Sequence, residues 1–126
     1  MSYLLDTHVL LWWIDDAPQL QSGVRDLIIN PDHDIAVSAA SIWEAAIKRA
    51  IGKLQFDTPA LLQALRRDRV RILPITAEHA LAAGDLPRHH DDPFDRMLVA
   101  QAAMEGLRIV THDRRLRQYG VGIVHA

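Results

Sequence analysis

The stretch DDPFDRMLVAQAAMEG, residues 91–106, decides how this chain folds. Asp92 is a good helix N-cap, and Pro93 suits the first helical position, where a missing N–H costs nothing. Asp95 puts negative charge into the first turn, and Gly106 supplies a left-handed stop. Between these ends Phe94, Met97, Leu98, Val99, Ala100, Ala102, Ala103 and Met104 are apolar around most of the circumference, which predicts a helix buried on several sides. A carboxylate at the mouth of such a helix raises the question of its task.

On either side of this helix, short apolar runs alternate with helical patterns. Tyr3–Leu5 end at Asp6 and predict a central strand with a carboxylate at its carboxyl edge. Thr7 begins a helix through Ile14, and residues 18–29 place Leu20, Val24, Leu27 and Ile28 at helical spacing before Asn30 and Pro31 close it. Ile35–Val37 predict a second strand, followed at once by Ser38. Residues 41–51 predict a helix with Ile42, Ala46, Ile47 and Ala50 inward and Gly52 as its stop. Thr58 caps and Pro59 opens a helix to about Arg69. Ile72, Leu73 and Ile75 predict a third strand, and Pro74 within it argues for a sheet edge. Thr76 caps a short helix to Ala83, and residues 84–90 form a loop. Beyond the long helix come a strand at Arg108–Thr111, a short helix from Asp113 to about Gln118, and a strand at Val121–Val124.

This alternation, without repeats or a long linker, predicts one α/β domain over residues 1–126 around a mostly parallel sheet. In open sheets of this kind ligands bind beyond the carboxyl ends of the strands, where the strand order reverses.

The 126 residues, 49% of them hydrophobic, suffice to bury roughly two thirds of the unfolded surface. The absence of cysteine excludes disulfides and thiolate metal sites, and makes a reducing cytoplasm the natural compartment. The N-terminal run YLLDTHVLLWWI is interrupted by Asp6 and His8 and is too short to span a bilayer, so no membrane association is expected. A formal net charge of −2 gives no global pull toward nucleic acid, so a polyanion must be held by a local basic patch or by metal ions. No GxxxxGK or GxGxxG segment supports a nucleotide-binding loop.

Four carboxylates fall on one rim of the expected sheet: Asp6 after the first strand, Glu44 in the first turn after the second, Asp95 at the opening of the long helix, and Asp113 after the strand ending at Thr111. Singly, most have ordinary readings. Ser41–Glu44 reads as a capping box, Asp92 and Asp95 as a cap and an acidic first turn, and Asp113 as a cap. Asp6 is different, because a carboxylate ending a buried strand needs a partner. If the four converge, each close pair at about 4 Å repels by about 4 kcal/mol at an effective dielectric near 20. A cation must compensate that. Oxygen ligands favour a hard divalent ion such as magnesium or manganese, and a pair of such ions suits in-line displacement at a phosphodiester.

Several of these segments together resemble the PIN-domain nucleases, most closely the VapC-type toxins of bacterial toxin–antitoxin pairs. They are LLDTHVLLWW (4–13), SAASIWEAAIK (38–48), LPIT (73–76) with HA soon after, HHDDPFDRMLVAQA (89–102) and IVTHD (109–113). The resemblance runs from about Tyr3 to Val124, and its specificity lies in the ordered combination. It implies a three-layer α/β/α sandwich with a five-stranded parallel sheet. It also implies a magnesium- or manganese-dependent endoribonuclease, hydrolysing RNA with a metal-activated water, a cognate antitoxin that inhibits it, and a homodimer. Carried over residue by residue, the family's acidic quartet falls on Asp6, Glu44, Asp95 and Asp113, with Thr7 and Thr111 as accompanying hydroxyls.

Arg96 and Arg114 each follow a quartet member, where they meet substrate phosphate, steady a carboxylate, or are simply solvated. Lys48, Arg49 and Lys53, with Arg66, Arg67, Arg69 and Arg71, are the best basic patches for an RNA backbone, set against ordinary solvated faces. His89 and His90 beside Asp91 and Asp92 suggest a metal cluster, but adjacent loop residues seldom aim at one ion. His8 and His112 are candidates for substrate contact or outer-shell support. Trp12, Trp13 and Trp43 exceed what a small core needs and suggest a surface for another subunit or an antitoxin. Two rivals stand beside the nuclease. One is a catalytically silent module of the same fold whose acids accept a partner's basic side chains. The other is a phosphoacceptor signalling domain, which wants an acidic pair after the first strand and a late lysine; here Thr7 follows Asp6 and the last lysine is Lys53.

Overall fold

A computed structural model describes all of residues 1–126. Strand β1 (Ser2–Leu5) leads into α1 (Thr7–Ile14) and α2 (Ser22–Ile29). Next come β2 (Asp34–Ser38), α3 (Ala39–Ala50), α4 (Thr58–Arg67) and β3 (Arg71–Leu73). The chain continues through α5 (Ala77–Asp85), α6 (Pro93–Glu105), β4 (Arg108–Thr111), a 3₁₀ segment (Arg114–Tyr119) and β5 (Ile123–His125). The strands form one five-stranded sheet in the order β3-β2-β1-β4-β5, every neighbouring pair parallel. β1 is central, and β3 sits at an edge, as the proline beside it required.

The pleat sorts the strand residues into two cores. Tyr3, Leu5, Ile35, Val37 and Val110 point to one face, against Val9 and Leu10 of α1, Val24 and Ile28 of α2, and Leu61 and Leu65 of α4. Leu4, Ala36 and Ile109 point to the other, against Leu98, Val99 and Ala102 of α6. Successive side chains of a strand face opposite ways, so a sheet apolar at consecutive positions needs a layer of helices on each side. The result is the three-layer α/β/α arrangement.

α6 begins and ends as its caps dictate. Asp92 Oδ1 accepts from the N–H groups of Phe94 (2.8 Å) and Asp95 (3.3 Å), and Gly106 takes φ 68°, a left-handed turn that favours glycine. Residues 98–102 are buried in succession, which only a helix covered on several sides permits. Its last turn emerges from cover, leaving Ala103 and Met104 exposed.

Some boundaries differ from the sequence reading. α2 starts at Ser22, not residue 18, because Arg25 ties residues 16–20 into a turn, reaching Leu20 O at 3.3 Å and also Ala17 O and the Asp16 carboxylate. α3 starts at Ala39, with Ser38 as its cap (Ala40 N to Ser38 Oγ, 3.0 Å), so Ser41–Glu44 is no capping box: Ser41 is buried inside the helix, its Oγ unpartnered. At α4, Asp57 rather than Thr58 holds the N-cap position, and the helix ends at Arg67. β3 stops at Leu73, α5 runs on to Asp85, and β5 lies two residues later at its start than its apolar pattern suggests.

At α5, Thr76 Oγ1 accepts from His79 N at 3.1 Å, and His79 Nδ1 accepts from Thr76 N at 3.1 Å. This reciprocal cap satisfies two N–H groups that the helix leaves open. Thr76→Ala is expected to cost about 1 kcal/mol, lowering the melting temperature by roughly 3–5 °C. An unchanged thermal melt would mean that water replaces the cap.

Candidate active site

The sheet order creates the site. From β1 the chain winds outward through β2 to β3, then returns to lay β4 on the other side of β1. Strand order reverses between β1 and β4, and the helices leaving the two strands part there, opening a crevice beyond their carboxyl ends. Asp6 follows β1 directly, its N–H bonded to Val110 O at 3.0 Å, while Thr111 ends β4 alongside.

Asp6 is the N-cap of α1: Oδ1 accepts from Val9 N at 2.8 Å, and Oδ2 accepts from the Thr111 hydroxyl. It is 4% exposed, and that burial pushes its carboxyl above the ordinary carboxylate range. The Thr111 hydroxyl and Val9 N–H oppose the shift, and the nearby charge of Glu44 adds to it. Thr111 also accepts from Asp113 N at 3.0 Å, so one hydroxyl links two of the acids.

Asp95, in the first turn of α6, is mostly buried, and burial pushes its carboxyl up to about 6, with the charges of Asp92 and Asp6 acting in the same direction. Its one side-chain partner is an imidazole, His90 Nε2, 2.7 Å from Oδ2. The same nitrogen lies 3.5 Å from Asp113 Oδ2. Asp113 caps the 3₁₀ segment through Arg115 N (2.9 Å), and the Arg115 guanidinium at 2.7 Å holds its carboxyl below the ordinary range. His90, Asp95 and Asp113 thus each offer a ligand atom within 4.8 Å of the others.

Asp6, Asp95 and Asp113 line a single cavity of about 500 Å³, together with Asp92, His8, His112, Arg114 and Arg115. Glu44 does not line it. Glu44 stands in the second turn of α3, not the first, and borders an adjoining groove that shares Asp92 with the cavity; Lys48 Nζ is 3.4 Å from its Oε2. Three of the four expected acids therefore share one chamber, and the fourth acts on Asp6 through its charge.

The sequence sets His90 aside because adjacent loop residues such as His89 and His90 seldom aim at one ion. They do diverge: the His89 ring packs against Tyr119 at 5.1 Å, while His90 turns in to the acids. A histidine five residues before an acidic first turn is a weak signal, and only the loop's path makes it one. Arg96 sets that path. Instead of facing the cavity, its guanidinium donates to the carbonyls of Ala83, Leu86 and Pro87, each at 3.0 Å, and to His90 O at 3.4 Å. The Thr7 hydroxyl is buried and unpartnered.

The expected basic patches are largely engaged within the chain. Lys48 pairs with Glu44, Arg67 with Asp68, Arg71 with Asp34, and Arg49 Nε donates to Phe56 O. The tryptophans separate: Trp13 donates to Asp68 Oδ2 at 2.9 Å, Trp12 lies between His8 and His112, and Trp43 is 62% exposed with its ring edge-on to Phe94.

A doubly wound parallel sheet with carboxylates gathered at its switch point defines an acid-lined α/β/α domain. The chain belongs to the PIN domain family, whose model matches residues 3–122, and within that family it is of the VapC type. It is 38% identical over 119 residues to Ribonuclease VapC22 of Mycobacterium tuberculosis, an alignment covering 92% of this chain and 90% of that protein. Two solved structures share the fold. VapBC2 from Rickettsia felis, bound to a DNA fragment from its promoter, has a TM-score of 0.78 at 17% identity, over 99% of this chain and 98% of that one. A toxin–antitoxin complex from Klebsiella pneumoniae has a TM-score of 0.63 at 15% identity, over 97% and 95%. No helix of the chain is long and apolar enough to cross a membrane.

Proposed function

We propose that the chain is a divalent-metal-dependent endoribonuclease acting as the toxin of a toxin–antitoxin pair in the cytoplasm. The observation that carries this is the meeting of Asp6, Asp95 and Asp113 at one cavity, with His90 set against the last two, where burial raises the first two carboxyls and neither has a cationic side chain on it except the imidazole. The likeness to a protein named as a ribonuclease supports the substrate class.

The donor set fits a divalent ion. Asp95, Asp113 and His90 would hold it, with Asp6 facing the same chamber and Glu44 adding negative charge from the next groove. An imidazole among the ligands moves the preference from magnesium toward manganese, because nitrogen suits the softer ion. Such an ion supplies positive charge beside a phosphodiester and a more acidic water. The chain's own residues do the rest. Thr111 orients Asp6 and Asp113 at once, Arg115 holds Asp113 against rotation, and Arg114 on the cavity wall meets a phosphate oxygen.

The antitoxin is expected on the groove beside Glu44, about 470 Å³ in volume, where Ile47, Ile51 and Phe94 lie between the acids Glu44, Asp91 and Asp92. Lys48 and Lys53 also line it, and with exposed Trp43 against Phe94 this surface suits an apolar segment flanked by charges of both signs. A homodimer belongs to the same reading and is checked by light scattering.

The direct test incubates purified protein with single-stranded RNA and manganese and maps the cut ends. Cleavage that stops with chelator is expected. No cleavage, or cleavage indifferent to chelator, overturns the reading.

A further inference from the structure

Two histidines of the cavity lie outside the group of His90, Asp95 and Asp113. His8, the second residue of α1, and His112, just beyond β4, both line the cavity and both are exposed. Trp12 lies between them, its ring centroid 6.2 Å from His8 and 5.6 Å from His112. His112 in turn stacks on His125 of β5, centroids 5.8 Å apart and planes 22° from parallel. Four rings from three separate segments therefore touch in series, and His8 and His112 among them line the acidic chamber. Neither His8 nor His112 forms a hydrogen bond or ion pair with the acids beside it; His8 acts on Asp6 only through its charge. His125 Nδ1 is buried with no partner.

The acids and Arg114 are suited to phosphate through an ion and a guanidinium, while the imidazole rings of His8 and His112 line the same cavity. A strand whose phosphates meet the acids and Arg114 can turn its bases toward these rings. Bases in a duplex are already stacked and paired, whereas those of a single strand splay out and stack on Trp or His rings. We infer that His8 and His112, with half-buried Trp12 packed between them, form a stacking platform for the bases of single-stranded RNA flanking the phosphate at the acids; this rests on RNA being the substrate. His125 backs the platform, and stacking on a π face accepts any base, so the platform selects single strands rather than sequence.

The test uses the full chain with manganese present, so that the phosphate keeps its ion, and binding is read in the first moments after mixing, before cut product forms; no binding of the RNA by the wild type would itself overturn the platform. Fluorescence anisotropy follows a short single-stranded RNA and the same oligomer with its bases removed. His112→Ala and His8→Ala are each expected to weaken binding of the RNA about fivefold or more, and to leave the abasic oligomer bound as by the wild type. His112→Phe keeps a ring face without the imidazole nitrogens and is expected to restore the RNA affinity. Equal losses for both oligomers, no loss for the RNA, failure of phenylalanine to rescue, or the same losses with duplex RNA would each overturn the platform. Cleavage by the wild type is measured separately. Base-dependent binding without cleavage leaves the platform standing and removes the nuclease reading; cleavage with unchanged binding by the variants does the reverse.

Discussion

Asparagine in place of Asp95 is expected to lower RNA cleavage at least about a hundredfold while the fold is kept. Groups that merely support a metal ligand are worth about 10–100-fold, and a carboxylate in direct reach of the ion is worth more. The fold is kept because the amide still fits the first turn of α6 and still offers His90 an atom for its hydrogen bond. The same variant should melt higher than the wild type when no ion is present. Burial raises the Asp95 carboxyl from 3.8 to about 6, so the native state holds that proton more tightly than the unfolded chain does. Relative to this group, stability is greatest below about pH 4, falls as pH rises toward 6, and stays reduced above. Removing the charge at pH 7.5 relieves about 1–2 kcal/mol after allowance for solvent screening, or a few degrees in melting temperature. A variant that is less stable and fully active would reject the role given to Asp95.

Manganese is expected to raise the melting temperature of the wild type substantially. An ion at a hundred times its dissociation constant adds about 2.7 kcal/mol to the native state by mass action, roughly 8 °C for a domain of this size. The gain should depend on pH, because an ion can bind Asp95 only after the proton leaves. With the carboxyl at about 6, the affinity should fall about tenfold between pH 7 and pH 5 from this group alone, and the raised Asp6 carboxyl adds to the fall. The measurement is thermal melting with manganese or chelator at each pH, compared within that pH. No shift at millimolar manganese would favour the silent binding module, in which these acids wait for a partner's basic side chains. Asp95→Asn should show only a small part of the gain.

The two predictions pull in opposite directions on one residue, which is why they are informative together. A carboxylate that weakens the ion-free protein and strengthens the loaded one is kept for binding, not for the fold. Asp34 shows the contrast: paired with Arg71 at the sheet edge, its carboxyl is held below the ordinary range.

By itself, the sequence determined the α/β alternation, the buried long helix, its caps, and the positions of Asp6 and Asp113 just after strands. These follow from apolar periodicity and from side chains bonding to backbone two or three residues away, interactions of short range along the chain. The strand order was beyond it, since a parallel crossover says nothing of which neighbour a strand will choose. Tertiary structure alone brought Asp6 against Thr111, 105 residues later, and moved Glu44 into the adjoining groove by starting α3 at Ala39. It also turned His90 toward the acids. That loop has no periodicity to read, and its course is set by Arg96 gathering carbonyls as far as thirteen residues away and by the Tyr119 hydroxyl bonding His90 O. Local pattern encoded the buried positions of the strands and of α6 but not those of α3, where Ala46, Ile47 and Ala50, expected inward, are exposed and Ala40, Ser41, Glu44 and Ala45 are buried instead; where a loop carries its side chain depends on partners distant in sequence, and those exist only once the layers have packed.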